Sequence, residues 1–193
     1  TSTGTITINA LDDASFNYAN SNYCASDSDP SAIITGLTGG TFSSTVGLVF
    51  TDISSGTIDL DGSTPGTYTV TYTTAGTCTN TAGFELTITA QDSATITYGS
   101  ATYCPLESNP TPTISGFATG TFSSTSGLII NTASGEIDVS GSTSGTYTIS
   151  YTTQGSCPIT FTTTVQIIEC PDTDGDGVQD ITENSDGTNP NDS

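Results

Sequence analysis

Apolar and polar residues alternate along much of the chain in short runs. The clearest run spans residues 67–74, where Tyr68, Val70 and Tyr72 fall on one face of an extended strand and threonines on the other. Glycine, proline and aspartate separate such runs at intervals of about eight to twelve residues, as turns do in all-β proteins. The pattern predicts about seven short strands in each stretch of roughly 80 residues, which is typical of a β-sandwich. The expected fold class is therefore all-β.

The same pattern occurs twice. Residues 39–48 return almost unchanged as residues 119–128, and Tyr23-Cys24 returns as Tyr103-Cys104, an offset of 103 − 23 = 80. A period this long is too large for a solenoid repeat and predicts two small domains, each with its own core.

One segment of each repeat resembles the immunoglobulin-like domains. Gly66-Thr-Tyr-Thr-Val70 is similar to the Gly-x-Tyr-x-Cys entry to their strand F. The resemblance implies that Tyr68 forms a tyrosine corner, in which its hydroxyl bonds back to the nearby main chain. Val70 stands where that family has its second inter-sheet cysteine, so the usual disulfide is not expected.

The first residues match the end of a repeat. Residues 5–10 align with residues 85–90, the last predicted strand of repeat one, and Ile6 and Ile8 match Leu86 and Ile88. We therefore expect residues 1–12 to be the closing strand of a preceding module. The alternative is that this strand completes a neighbouring subunit, as in donor-strand filaments.

Composition restricts the classes of function. The chain has no Lys, Arg or His, and its 20 acidic residues give a net charge of −20. Direct binding of nucleic acid or of an anionic membrane surface is excluded, because no cation can neutralise phosphate. Enzymatic activity is not expected, since only carboxylates could act in acid–base chemistry. The same charge attracts cations.

Four of the five cysteines occupy equivalent places in the repeats. The simplest connectivity joins Cys24 to Cys78 and Cys104 to Cys157, and leaves Cys170 for a partner elsewhere. Disulfides of this kind favour an extracellular location, and the sequence contains no apolar span for membrane insertion.

Acidic residues alternate near the carboxyl terminus. Counted from Asp172 as position 1, carboxylates occupy positions 1, 3, 5, 9 and 12, with glycine at position 6. This is the spacing of a twelve-residue Ca²⁺ loop. The predicted ligands are Asp172, Asp174, Asp176, the carbonyl of Val178, Asp180 and Glu183. No amphipathic helix is expected beside the loop, which argues against an EF-hand.

The same stretch resembles a thrombospondin type-3 repeat, with the pattern Asp-x-Asp-x-Asp-Gly-Val-x-Asp followed by Gly187-Thr-Asn-Pro190. The predicted organisation is a closing strand over 1–12, immunoglobulin-like sandwiches over 13–91 and 92–171, and a Ca²⁺ repeat over 172–193.

As a whole, the chain is similar to the repeat regions of giant surface adhesins of Bacteroidota, which are cargo of the type IX secretion system. The resemblance implies a stalk or filament module on the cell surface, with neighbouring modules or identical subunits as partners. Asp92-Ser93-Ala94 also resembles the O-glycosylation site of these bacteria, which makes Ser93 a candidate acceptor. The alternatives are a module that binds glycans or other ligands, and an ice-binding face formed by the outward threonines of residues 67–73.

Overall fold

The computed structural model describes residues 4–191. It divides the chain into two compact units, Thr1–Gln91 and Asp92–Ser193. Both units are built from antiparallel and parallel β-strands, and one short helix lies near the carboxyl terminus. The all-β fold class with immunoglobulin-like sandwiches is confirmed.

Unit 1 has a four-stranded sheet in the order β2-β8-β7-β4 and two two-stranded sheets, β1-β3 and β5-β6. Its strands are β1 Phe16–Asn17, β2 Asn22–Cys24, β3 Ile33–Ile34, β4 Thr41–Ser44, β5 Val49–Asp52, β6 Thr57–Asp59, β7 Gly66–Thr73 and β8 Thr81–Thr89.

The core of unit 1 follows from the alternation seen in the sequence. On β7, Tyr68, Val70 and Tyr72 are 5%, 0% and 0% exposed, while the threonines between them face outwards. Leu86 and Ile88 on the neighbouring β8 are each 1% exposed and join the same cluster. Burial of these apolar side chains on one face of the sheet is the main favourable term in folding.

Unit 2 repeats this arrangement, with a four-stranded sheet β10-β16-β15-β12 and two-stranded sheets β9-β11 and β13-β14. Its strands are β9 Ala94–Thr97, β10 Thr102–Tyr103, β11 Thr113–Gly116, β12 Gly120–Ser124, β13 Ile129–Ile130, β14 Ile137–Asp138, β15 Gly145–Thr153 and β16 Thr160–Ile167. The helix α1 spans Asp180–Asp186.

One strand pair in each four-stranded sheet is parallel. In unit 1, β2 runs parallel to β8, which places Cys24 opposite Thr89. In unit 2, β10 runs parallel to β16, with Tyr103 opposite Ile167. Cys24, the last residue of β2, and Cys104, which directly follows β10, therefore lie at the carboxyl end of the last strand of their units, which we call the exit end.

The tyrosine corner is present in both units. The hydroxyl of Tyr68 donates a hydrogen bond to the carbonyl of Thr64, and that of Tyr147 donates to the carbonyl of Thr143 at 2.6 Å. Gly47 has a φ of 110° and packs against the ring, since a Cβ at this position would lie 2.9 Å from the hydroxyl of Tyr68. The immunoglobulin resemblance thus located a real main-chain contact.

One local expectation differs from the structure. Residues 4–10 form no strand, and Ile6 and Ile8 are 88% and 91% exposed. A single strand with no neighbour has no partner for its amide and carbonyl groups, so it has no reason to become regular alone.

We expect the change Tyr147→Phe to lower the free energy of unfolding of unit 2 by about 1 kcal/mol, because it removes a partly buried hydrogen bond. Chemical denaturation monitored by circular dichroism measures the change. The control is Thr146→Val, which keeps a β-branched residue at an exposed position of the same strand. Equal stability of the two variants would contradict a structural role for the corner.

Candidate metal centre

The acidic stretch that begins at Asp172 is folded into a tight loop. The two carboxylate oxygens of Asp172 accept hydrogen bonds from the amides of Gly175 and Gly177 at 2.9 and 3.1 Å. Gly177 has a φ of 95°, in the left-handed region that favours glycine. This turn draws Asp172, Asp174 and Asp176 together, so that one oxygen of each lies within 4.8 Å of the others.

Helix α1 returns a fourth carboxylate to the loop. The amide of Asp180 donates to the carbonyl of Pro171 at 2.9 Å, which closes the loop where the helix begins. Glu183 lies one turn further on and is only 4% exposed. The helix has seven residues and ends at Gly187, whose φ is 78°. This helix was not expected from the sequence.

Two oxygens of the cluster are buried without a hydrogen-bond partner among the described residues: Oδ2 of Asp174 and Oε2 of Glu183. Buried carboxylate oxygens without a donor are costly, and such groups are generally paired or coordinated to a metal. Oxygen-only ligands from several carboxylates are the donor set that Ca²⁺ prefers. The residues therefore fit the ion that the spacing predicts.

The raised pKa of Glu183 is consistent with a site for a divalent cation. Burial raises the pKa of Glu183, and the negative charges of Asp174, Asp176, Asp180 and Asp172 raise it further. A divalent cation between these groups would oppose both effects, since it stabilises the ionised form.

Asp180 has a different environment from the other predicted ligands. Both of its carboxylate oxygens accept hydrogen bonds from Thr173, at 2.7 Å from the amide and 2.6 Å from the hydroxyl. These bonds lower the pKa of Asp180. The structure thus ties Asp180 to the start of the loop, and the amide of Val178 donates to Asp176 at 2.8 Å. Direct ligation by Asp180 and by the carbonyl of Val178 stays a prediction.

The expected cysteine pairs are wrong. Cys104 is bonded to Cys170, with 5.0 Å between their Cα atoms, and Cys78 has a free thiol. Cys24 and Cys157 are disulfide-bonded as well.

The physical reason is the parallel pairing of the short strand in each unit. Cys24 lies opposite Thr89, whereas Cys78 lies in the loop before Thr81. The eight steps of β8 between them span about 26 Å. A disulfide needs Cα atoms about 4.4–6.8 Å apart, so the two cysteines of one unit cannot meet. The same argument separates Cys104 from Cys157.

The Cys104–Cys170 bond anchors the acidic loop of residues 172–183, which we call the metal loop. It joins residues 66 apart in the sequence and holds Cys170 two positions before Asp172. In the chain-entropy account, a loop of this length stabilises the folded state by about 4 kcal/mol.

A second acidic cluster in unit 1 was not predicted from the sequence. Asp29, Asp59 and Asp61 each place one oxygen within 4.8 Å of the others. A hydrogen bond with the side chain of Asp59 raises the pKa of Asp61, and the negative charge of Asp59 raises it further. In sequence these residues are separated by turns and strands, so only the fold brings them together. The equivalent positions of unit 2 hold Asn109, Asp138 and Ser140, so the cluster is not repeated.

Ser93 lies at the first residues of unit 2. It is exposed, and its carbonyl accepts a hydrogen bond from the amide of Phe117 at 2.8 Å. Its hydroxyl is not needed for that main-chain contact. O-glycosylation at Ser93 stays a prediction.

Comparison with known proteins gives a likeness of fold at low similarity. No family model and no curated protein matches the chain. Among solved structures, mouse cadherin-23 EC22-24 is 13% identical, with 81% of this chain and 67% of that chain covered and a TM-score of 0.31. Human CDH23 EC21-23 is 17% identical over 81% and 64% of the two chains, with a TM-score of 0.31. The insect immune protein hemolin is 15% identical over 76% and 44%, with a TM-score of 0.37. Likeness at this level carries no argument about function.

Within residues 4–191, none of the helical structure is long and apolar enough to cross a membrane.

Without metal, we expect the carboxyl-terminal segment to become more ordered as the pH falls. The raised pKa of Glu183 means that the folded segment binds a proton more tightly than the unfolded one, whose carboxyl titrates near 4.5. Protonation of Glu183 therefore stabilises the folded segment fully below pH 4.5. This stabilisation is lost as the pH rises through the higher pKa that Glu183 has in the folded segment. Carbon chemical shifts of α1, measured with a chelator present, report the order.

Glu183→Gln is the matched control, because it keeps the shape of the side chain and removes its titration. With Ca²⁺ present the direction should reverse, since the ion binds the ionised carboxylate. A segment equally ordered at every pH in chelator would contradict the assignment.

Proposed function

We propose that this chain is a structural stalk or filament module of an extracellular surface adhesin, stiffened by disulfides and by Ca²⁺. The observation that carries the proposal is a main-chain clamp that both units share. The amide of Asp12 donates to the carbonyl of Cys78, and the amide of Asp92 donates to the carbonyl of Cys157, each at 2.9 Å. The same main-chain hydrogen bond thus holds the entering chain in both units. Such a shared contact is what we expect of modules that are connected in series.

The metal loop supports the stiffening role. It follows the last strand of unit 2 and is closed by the bond from Asp180 to Pro171 and by the Cys104–Cys170 disulfide. Asp174 and Glu183 would hold Ca²⁺ together with Asp172 and Asp176, and the ion would neutralise their mutual repulsion. A segment that is flexible without the ion would then become a fixed continuation of the unit.

The location of the tyrosines favours a spacer over a ligand-binding module. Glycan and peptide sites commonly present exposed aromatic rings. Seven of the eight tyrosines here are buried, and the eighth, Tyr98, is partly buried against the core of unit 2. A glycan- or ligand-binding module is therefore the weaker alternative.

A subunit that exchanges donor strands is the second alternative. The exposed Ile6 and Ile8 favour this alternative, because a strand with two solvent-exposed isoleucines would gain stability by docking into a sandwich. The mass of the chain in the native assembly distinguishes the two cases. A mass near 19.5 kDa would support strand exchange between subunits, and a much larger mass would support one long stalk.

We expect the chain to bind Ca²⁺ and to lose that binding in the variants Asp174→Asn and Glu183→Gln, because each removes one of the buried, unpaired carboxylate oxygens. Isothermal titration calorimetry on the full chain measures the affinity. Asp186→Asn is the matched control, since it removes the last acidic residue of the same helix. Equal affinity in all three variants, or no binding at millimolar Ca²⁺, would contradict the metal centre.

A stalk bears load, and the Cys104–Cys170 bond predicts how unit 2 responds to force. When the chain is pulled from its ends, the segment between the two cysteines, which are 66 positions apart, cannot extend unless the bond is reduced. Cys24 and Cys157 are disulfide-bonded as well, so the measurement uses a chain that carries Cys24→Ser and Cys157→Ser. In that chain, reductant should add about 22 nm of contour length to the unfolding of unit 2, at roughly 3.4 Å per residue. Single-molecule force spectroscopy with and without dithiothreitol measures the difference. Addition of Cys104→Ser and Cys170→Ser to the same chain should give the longer extension in both conditions. An extension that reductant leaves unchanged while Cys104 and Cys170 are present would reject the load-bearing role of the bond.

A further inference from the structure

Cys78 lies at the entry end of unit 1, the end where the chain enters the sandwich. Its carbonyl accepts the amide of Asp12 at 2.9 Å, and the carboxylate of Asp12 accepts the hydroxyl of Thr74 at 3.0 Å. Asn80 donates from its side chain to the carbonyl of Asp12 at 2.9 Å. The thiol of Cys78 is free and half-buried beside this clamp. The loop that carries it is therefore held in a fixed position.

The partner of Cys78 cannot be the other cysteine of its own unit. Cys24 lies at the exit end, about 26 Å away along β8, and it is already disulfide-bonded. A thiol held at one end of a sandwich can only meet a cysteine that approaches that end from outside.

Unit 2 provides an internal comparison for this position. Cys157 is the equivalent residue, since its carbonyl accepts the amide of Asp92 at 2.9 Å and Gly155 donates to the carboxylate of Asp92 at 3.0 Å. Cys157 is disulfide-bonded. Its bond does not involve the exit-end cysteine of its own unit, because Cys104 is bonded to Cys170. The entry-end cysteine is thus a disulfide position in unit 2.

We propose that Cys78 forms a disulfide with the exit-end cysteine of a sandwich unit that precedes residue 12. The proposal rests on the proposed stalk, in which units follow one another with the same polarity and residues 1–12 close a preceding module. In such an array the exit end of the preceding unit would face the entry end of unit 1. A bond between its exit-end cysteine and Cys78 would then link that unit covalently to unit 1.

The chemistry is a two-electron oxidation. A small-molecule or protein disulfide takes the two electrons and two protons of the two thiols and is itself reduced to two thiols, while a new S–S bond forms. In unit 2 the exit-end cysteine, Cys104, is bonded to Cys170 of the same unit, so it is not available for a bond of this kind. Unit 1 has Gln91 at the position of Cys170, so its own exit-end cysteine is not occupied in this way.

The test adds one unit to the existing chain. Residues 1–91 are joined to residues 12–193, so that the added copy of unit 1 precedes the native one through the natural linker sequence. The protein is refolded with a mixture of reduced and oxidised glutathione, and its thiols are counted with Ellman's reagent. Pepsin digestion at acidic pH then maps the bonds, since trypsin has no Lys or Arg to cleave.

We expect Cys24 of the added copy to be bonded to Cys78 of the native copy, which leaves one free thiol, Cys78 of the added copy. The variant with Cys78→Ser in the native copy should gain one free thiol, at Cys24 of the added copy. Circular dichroism of that variant shows whether the added unit still folds.

Three free thiols in the extended chain, or a Cys24–Cys78 bond within the added unit, would overturn the inference. These outcomes leave the proposed stalk intact if the Ca²⁺ and force measurements succeed. Failure of those measurements with the intermodule bond present would instead reject the stalk alone.

Discussion

The parallel pairing of a two- or three-residue strand with the last strand of each unit determines how the rest of the molecule is connected. Parallel pairs need a long crossover, and here the crossover is nearly the whole sandwich. The pairing brings Cys24 opposite Thr89 in unit 1 and sets Tyr103 opposite Ile167 in unit 2. An antiparallel pairing would have directed the chain after Tyr103 back along β16, away from Cys170.

That bond and the metal loop act on the same few residues. Cys170 precedes Pro171, whose carbonyl accepts the amide of Asp180, so the disulfide fixes one side of the closure that positions α1. The helix in turn buries Glu183 close to four aspartates, Asp172, Asp174, Asp176 and Asp180, so burial and their charges make its ionised form unfavourable. These unfavourable carboxylate contacts are what a bound cation would relieve.

Local patterns predicted the local features of this chain. Alternation of apolar and polar residues located β7 and β8, and the Gly-x-Tyr pattern located the hydroxyl of Tyr68 next to the main chain of Thr64. The spacing of the aspartates predicted the cluster that the loop forms. The cysteine pairs could not be predicted, because the direction in which β2 pairs is set by the whole crossover and leaves no signal in three residues. Helix α1 was missed for a related reason: seven residues carry too little periodicity to distinguish a helix from a turn.

The charge of the chain restricts how such units can be held together. With no Lys, Arg or His, contacts between copies of these units cannot include side-chain salt bridges, and 20 acidic residues make the copies repel one another. Three kinds of connection that do not depend on cationic side chains are supported by features of this chain: covalent bonds, main-chain hydrogen bonds and bridging cations. The clamp at Asp12 and Asp92 is of the second kind, and the carboxylate loop is suited to the third. Repulsion along an array linked in this way also favours an extended chain over a collapsed one, because separated units minimise their electrostatic free energy. A strongly acidic composition is then compatible with a stiff extracellular spacer, provided that each linker carries its own fastening.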